Sequence, residues 1–236
     1  MKKIVLILAA LVMVGSNGYA EEMKAQSGKK MPTLFQAVSP DKAVILQEGA
    51  SKMFCPKCGM TLPMFYKTNH AAQVNGKTEQ YCSIHCLAET MADGGKITDI
   101  KVVDNTTLKF VDASKAWYAV GSSKAGTMTM TSKYAFANKA DAEAFAKEFG
   151  GKVMNFDNTL ASVNSMLEKE TAMIHKKQAM AAKKGEMMFN KMCKPVDAKF
   201  NSVAEAKTYL KTQKPCGELK GKKLQAIGLY LNSRNK

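Results

Sequence analysis

Four cysteines, Cys55, Cys58, Cys82 and Cys86, constrain this chain more than any other feature. They fall into a C-x2-C pair, Cys55-Pro56-Lys57-Cys58, and a C-x3-C pair, Cys82-Ser83-Ile84-His85-Cys86. Sulfurs at this spacing converge on one point if the chain between them folds back as a hairpin. Paired cysteines of this kind signal a metal site or a redox disulfide. The intervening sequence supplies the hairpin. Asn75-Gly76 lies between the extended segments 71–74 and 77–81, and both turn residues tolerate positive φ. Ser83 then stands where a helix to about Ala92 would be capped, with Cys86 at its third position, where the helix dipole favours thiolate.

The same grammar recurs downstream. Gly94-Gly95 stops the first helix, and Ile97 to Val103 reads as a strand. Trp117 to Val120 and Tyr134 to Ala137 read as two more strands. Asn138 caps a helix whose apolar face is Ala142, Phe145, Ala146 and Phe149. Gly150-Gly151 stops that helix, and Lys152 to Phe156 returns as a strand. Gly94-Gly95-Lys96-Ile97 and Gly150-Gly151-Lys152-Val153 mark equivalent points, so the expected fold is α+β, a duplicated ββαβ module over 40–157. Only the first module carries cysteines. Ala43 to Leu46, ahead of it, reads as a short strand.

The remainder is expected to be helical. A connecting helix over 158–184 carries Met166, Met173 and Met180, and Met187 continues the seven-residue repeat beyond it. With Leu160, Val163, Leu167 and Ile174 interleaved, this reads as a packing seam, with a copper-binding methionine helix as the alternative. Residues 185–236 form a small all-α unit. The stretches 185–193 and 224–231 resemble the entry and closing helices of a c-type cytochrome. The haem-attachment motif is missing, because Lys194-Pro195 follows Cys193 and no histidine lies beyond His175, so no haem is expected. Cys193 and Cys216 read as a structural disulfide, with a second thiol metal site as the alternative.

The N-terminus carries its own signal. Lys2 and Lys3 precede the apolar run Ile4 to Val14, and Gly18-Tyr19-Ala20 offers small residues for cleavage. Residues 1–20 read as a secretory signal peptide cleaved near Ala20, followed by a flexible segment over 21–39. The run is short for a transmembrane anchor, and no cysteine follows the cleavage point to carry a lipid. The mature protein is therefore expected to be soluble and periplasmic, not a lipoprotein. The net charge of +15 suggests acidic partners or an anionic membrane surface. Nucleic acid is not expected, since the lysines are dispersed, arginines are few and the chain is exported.

The sulfur chemistry leaves three readings of Cys55, Cys58, Cys82 and Cys86: a metal site, two structural disulfides, or a thiol-disulfide oxidoreductase. Four thiolates alone suit Zn²⁺. Nearby thioethers, Met60, Met64, Met128 and Met130, move the choice toward the softer Cu(I). His85 either joins the ligands or points outward, and His70 and His175 read as surface residues. No phosphate loop, triad or carboxylate pair stands out, so no enzyme is expected.

These residues resemble the NosL family, the copper chaperones of nitrous-oxide reductase assembly. The resemblance runs over 40–165. It rests on Cys58-Gly59-Met60, on Tyr81-Cys82-Ser83 leading into a helix, and on Met128-Thr129-Met130 ahead of Tyr134-Ala135-Phe136. Asp141 to Phe145, Gly150-Gly151 and Phe156-Asp157 complete it. The cysteine pattern also looks like TRASH/YHS-type metal knuckles. The resemblance implies a MerB-like fold of paired ββαβ units and a role in denitrification. It further implies Cu(I) binding in which Cys58, Met60 and Met130 take part, and delivery to nitrous-oxide reductase or a related periplasmic copper enzyme. Cys55, Cys86 and the C-terminal extension are additions to the family pattern. A thiol-disulfide exchange protein and a zinc-stabilised interaction module are the other functions the sequence allows.

Overall fold

The computed structural model describes residues 34–234. The expected signal peptide over 1–20, its cleavage point, and the flexible segment as far as residue 33 lie outside the described residues. Residues 34–39, expected to be flexible, instead anchor on the second module. The Phe35 ring stands edge-on to Tyr134 at 5.3 Å, and Gln36 Nε2 donates to the Ala125 carbonyl at 2.8 Å.

The architecture is α+β and internally duplicated. The first module is β1 (His70–Val74), β2 (Lys77–Tyr81), α1 (Ile84–Ala92) and β3 (Ile97–Val103), with an extra edge strand β4 (Phe110–Asp112). The second is β5 (Trp117–Val120), β6 (Lys133–Phe136), α2 (Lys139–Phe149) and β7 (Lys152–Asn155). The sheets run β2-β1-β3-β4 and β6-β5-β7, antiparallel throughout, so the first strand of each module is central in both. Asn75 and Gly76 take φ of 49° and 82°, the left-handed pair that a tight hairpin needs. The register pairs His70 with Tyr81, so β2 delivers the chain to Cys82 beside the start of β1. Asn138 Oδ1 accepts from the Asp141 N–H at 2.9 Å, the expected cap of α2. The Asp104 carboxylate joins the two modules, since its Oδ1 accepts from the Ala137 N–H at 3.0 Å.

Residues 43–46 do not form the expected strand. Side-chain amides replace the ladder there. The Leu46 N–H donates to Gln80 Oε1, and the Gln80 N–H donates to Gln47 Oε1, both at 2.8 Å. Two glutamines thus occupy the groups that strand pairing would have used.

The connecting segment is two helices, α3 (Phe156–Asn164) and α4 (Leu167–Met192), broken at Ser165-Met166. Helix α4 runs unbroken through position 185, α6 (Gly221–Ser233) packs back on it, and α5 (Val203–Thr212) packs on α6. Gly185 marks the closest approach, where a Cβ would lie 2.0 Å from the Ala226 carbonyl oxygen. The methionine repeat is not the buried seam. Ile174, Gly185 and Phe189 face inward, while Met166, Met173, Met180 and Met187 are exposed by 41%, 46%, 53% and 65%. The heptad spacing does hold one face, but Ile174 directly follows Met173, and one residue turns a helix by about 100°. The Cys193–Cys216 disulfide is present and ties the end of α4 to the loop before α6.

His70 is fully buried, not on the surface. Its Nδ1 lies 3.1 Å from the Thr68 carbonyl, which only an N–H can satisfy, and Nε2 then accepts from the Tyr118 hydroxyl at 3.0 Å. Burial lowers its pKa from 6.5 to about 4, against the Thr68 bond that raises it. The unfolded chain therefore binds this proton more readily than the fold does. Stability should be full above about 6.5 and fall as pH drops toward about 4, by about 3 kcal/mol for this group. Denaturant melts between pH 7 and pH 4 should show this slope in the native protein and a flatter one in His70→Gln.

Candidate metal centre

Two short stretches place the four thiols. In the first, the Cys55 N–H donates to the Met60 carbonyl and the Gly59 N–H donates to the Cys55 carbonyl, both at 2.8 Å. This closed loop turns Cys55 and Cys58 to one side. Gly59 carries it at φ 73°, and a Cβ there would sit 2.4 Å from Val203 Cγ1. In the second stretch, Cys82 ends the hairpin and Cys86 follows one helical turn later in α1. Thr68 Oγ1 donates to the Cys82 carbonyl at 2.8 Å and fixes the junction. Ser83 stands at the N-cap position, but its side chain makes no cap bond, and its hydroxyl is buried without a partner among the described residues.

The result is one cluster. The ligand atoms of Cys55, Cys58, Cys82 and Cys86 all lie within 4.8 Å of one another. Cys58 Sγ is 3.5 Å from Cys82 Sγ, and Cys82 Sγ is 3.7 Å from Cys86 Sγ. A disulfide needs about 2.05 Å. A tetrahedral thiolate shell with metal–sulfur bonds of about 2.3 Å needs sulfurs about 3.8 Å apart. The donor set therefore fits a thiophilic ion. All four cysteines are free and buried.

Charge is the dominant problem in such a space. Burial opposes ionisation of Cys55, yet bonds from Cys58, Cys82 and Cys86 hold it well below the ordinary thiol range. Burial, with Cys55 and Cys58 as neighbours, pushes Cys82 well above that range. Bonds to Cys55, Cys58 and Cys82, with burial, do the same to Cys86. Cys55 thus ionises readily while Cys82 and Cys86 resist losing their protons, and a cation is what can drive those off.

The other expected ligands divide. Met60 and Met128 pack against the cysteine cluster. With Met130, Phe65, Ile174 and Leu229 they line an open cavity of about 370 Å³. Met128 is held at φ 68°, and Met130 is 87% exposed at the cavity rim. His85 is not with the sulfurs. Its Nε2 lies 3.3 Å from Thr171 Oγ1 and 3.7 Å from Glu89 Oε1, and its Nδ1 faces Glu170 at 3.6 Å. It thereby ties α1 to α4. His175 is exposed on α4.

Residues 48–163 match the NosL family model. The chain carries a NosL domain. Among solved structures, the copper chaperone NosL from Shewanella denitrificans is similar at 27% identity, over 48% of this chain and 95% of that one, with a TM-score of 0.39. No curated protein matches. The NosL domain holds all four clustered cysteines, and α4, α5 and α6 follow it in sequence.

Two side chains beyond the NosL domain hydrogen-bond to the first cysteine loop. Gln225 Nε2 donates to the Cys58 carbonyl at 3.0 Å, and Lys207 Nζ donates to the Gly59 carbonyl. The sequence held one unused sign of this. Lys207 sits on the apolar face of α5, with Val203, Ala206 and Leu210.

Loading the cluster at neutral pH should release at least two protons per ion, those held by Cys82 and Cys86, because buried thiols must be driven to thiolate. Calorimetry of metal binding in buffers of different ionisation enthalpy counts them. A count near zero would mean that the cluster is already fully ionised.

Proposed function

We propose that this protein is a periplasmic Cu(I) carrier that passes copper to nitrous-oxide reductase or a related copper enzyme. The observation that carries the reading is the meeting of four buried thiols with two packed thioethers inside a NosL domain. Soft sulfur donors select monovalent copper over harder ions. Cys55, Cys58, Cys82 and Cys86 are the holding ligands, with Met60 and Met128 beside them. Met130 at the cavity rim is the first group an acceptor would meet. Transfer proceeds by ligand exchange: an acceptor's sulfur or imidazole enters through the methionine-lined cavity and displaces these donors one at a time. The task is carriage, not catalysis. Dispersed lysines guide the approach to an acidic partner.

A second reading has its own support. Cys55, Cys82 and Cys86 are wholly inaccessible, and closed four-thiolate sites are the ordinary structural form of zinc. Thiol-disulfide exchange fits less well, since an attacking thiolate needs access and Cys55 has none.

Competition against a chromophoric Cu(I) chelator separates the readings. The reduced protein should bind one Cu(I) tightly, and Cys58→Ser should weaken binding by more than about a hundredfold. Unchanged affinity in Cys58→Ser, or one tightly held zinc per chain that Cu(I) cannot displace, would overturn the carrier reading.

A further inference from the structure

Lys207 is an unusual lysine. Its side chain is 1% exposed, although it belongs to a helix that lies outside the NosL domain. A buried ammonium is costly unless it is hydrogen-bonded and its charge is compensated. The hydrogen bonds are complete. Nζ donates to the Gly59 carbonyl, to Thr61 Oγ1 at 3.2 Å and to Gln225 Oε1 at 2.8 Å. It also stands 4.3 Å over the Phe54 ring. The socket is shaped for the stem as well. At Gly228 on α6 a Cβ would lie 2.6 Å from Lys207 Cγ, so only glycine lets the side chain through.

The compensating charge is missing from the usual place. Among the described residues, no carboxylate forms an ion pair with Lys207. Every hydrogen-bond acceptor around Nζ is neutral. Two of those acceptors, at Gly59 and Thr61, lie on the loop that carries Cys58 and Met60, and the Cys58 and Cys55 sulfurs favour its charged form. The metal centre has the opposite deficit. Four thiolates around one monovalent cation carry roughly three uncompensated negative charges in a space closed to water.

We propose that Lys207 is the built-in counter-charge of the thiolate centre, a positioning residue contributed by the C-terminal helices that raises the centre's affinity for a soft cation. The inference rests on the Cu(I) reading above and deepens it. The ammonium is placed through the first cysteine loop, not against a sulfur. Its bond to the Gly59 carbonyl lies between Cys58 and Met60, so it orients the loop as it neutralises it. Gln225 completes the arrangement by bridging Lys207 to the Cys58 carbonyl. The helical extension is therefore part of the site. Burial draws the ammonium down to about 7 even with the cysteine sulfurs pulling against that fall.

The test uses the full-length reduced protein. Lys207→Gln removes the charge and keeps a donor for the Gly59 carbonyl. Lys207→Met keeps the volume of the stem against Gly228, and thermal melts identify which variant stays folded. Lys211→Gln, on the next turn of α5, removes the same formal charge from an exposed position. Two quantities are read: Cu(I) affinity by chelator competition, and the ultraviolet thiolate absorbance of the metal-free protein at neutral pH. A folded Lys207 variant should lose roughly 10- to 100-fold in affinity and show a smaller thiolate absorbance, with Lys211→Gln close to the native protein. Native affinity and native absorbance in a folded Lys207 variant would overturn the proposal. If the native protein bound no Cu(I), the carrier reading would fall, and the metal-free absorbance would still decide the role of Lys207.

Discussion

Four thiols buried within touching distance cannot all ionise, and much of this structure answers that constraint. The sulfurs are brought together by two unrelated local devices, a glycine-closed loop and a hairpin feeding a helix start. Each depends on packing: Tyr81 and Leu87 from the first module, and Val203 pressed on Gly59 from the C-terminal helices. An ion of the right softness relieves the crowding of protons and lone pairs, and so the site is written for a cation from the outset.

The duplication explains how one module could be given over to chemistry. Both modules place their first strand centrally between the second and third, so each buries one helix against an antiparallel sheet. The second keeps an apolar solution, with Phe145 among Phe35, Tyr134 and Phe136. The first substitutes cysteines at the hairpin exit and the helix start. The loop between β5 and β6 brings Met128 back to that cysteine cluster. The second module thus contributes a lip to the cavity even though it holds none of the thiols.

Much of this was legible in the sequence, because it depends on local rules. Asn75-Gly76 dictates its turn, Gly94-Gly95 and Gly150-Gly151 end their helices, and Asn138 caps α2. The duplicated order and the meeting of two cysteine pairs follow from those signals. The departures come from tertiary context. Residues 43–46 have strand-like composition, but Gln47 and Gln80 take the hydrogen bonds that a strand would need. The methionine repeat fixes a helix face without saying which face is buried, and Ile174, Gly185 and Phe189 decide it. His70 and His85 look like ordinary polar residues until Tyr118, Thr171 and Glu170 arrive from distant segments. The reach of Lys207 back to the cysteine loop spans 148 positions, and no periodicity reports that.

The central claim is that the four sulfurs act as one soft-ion site. X-ray absorption on the reduced protein loaded with one equivalent of Cu(I) tests it most directly. The account predicts a copper edge of the monovalent ion with a first shell made of sulfur alone. A shell containing nitrogen or oxygen donors would contradict it, because His85 and the nearby carboxylates face away from the cluster.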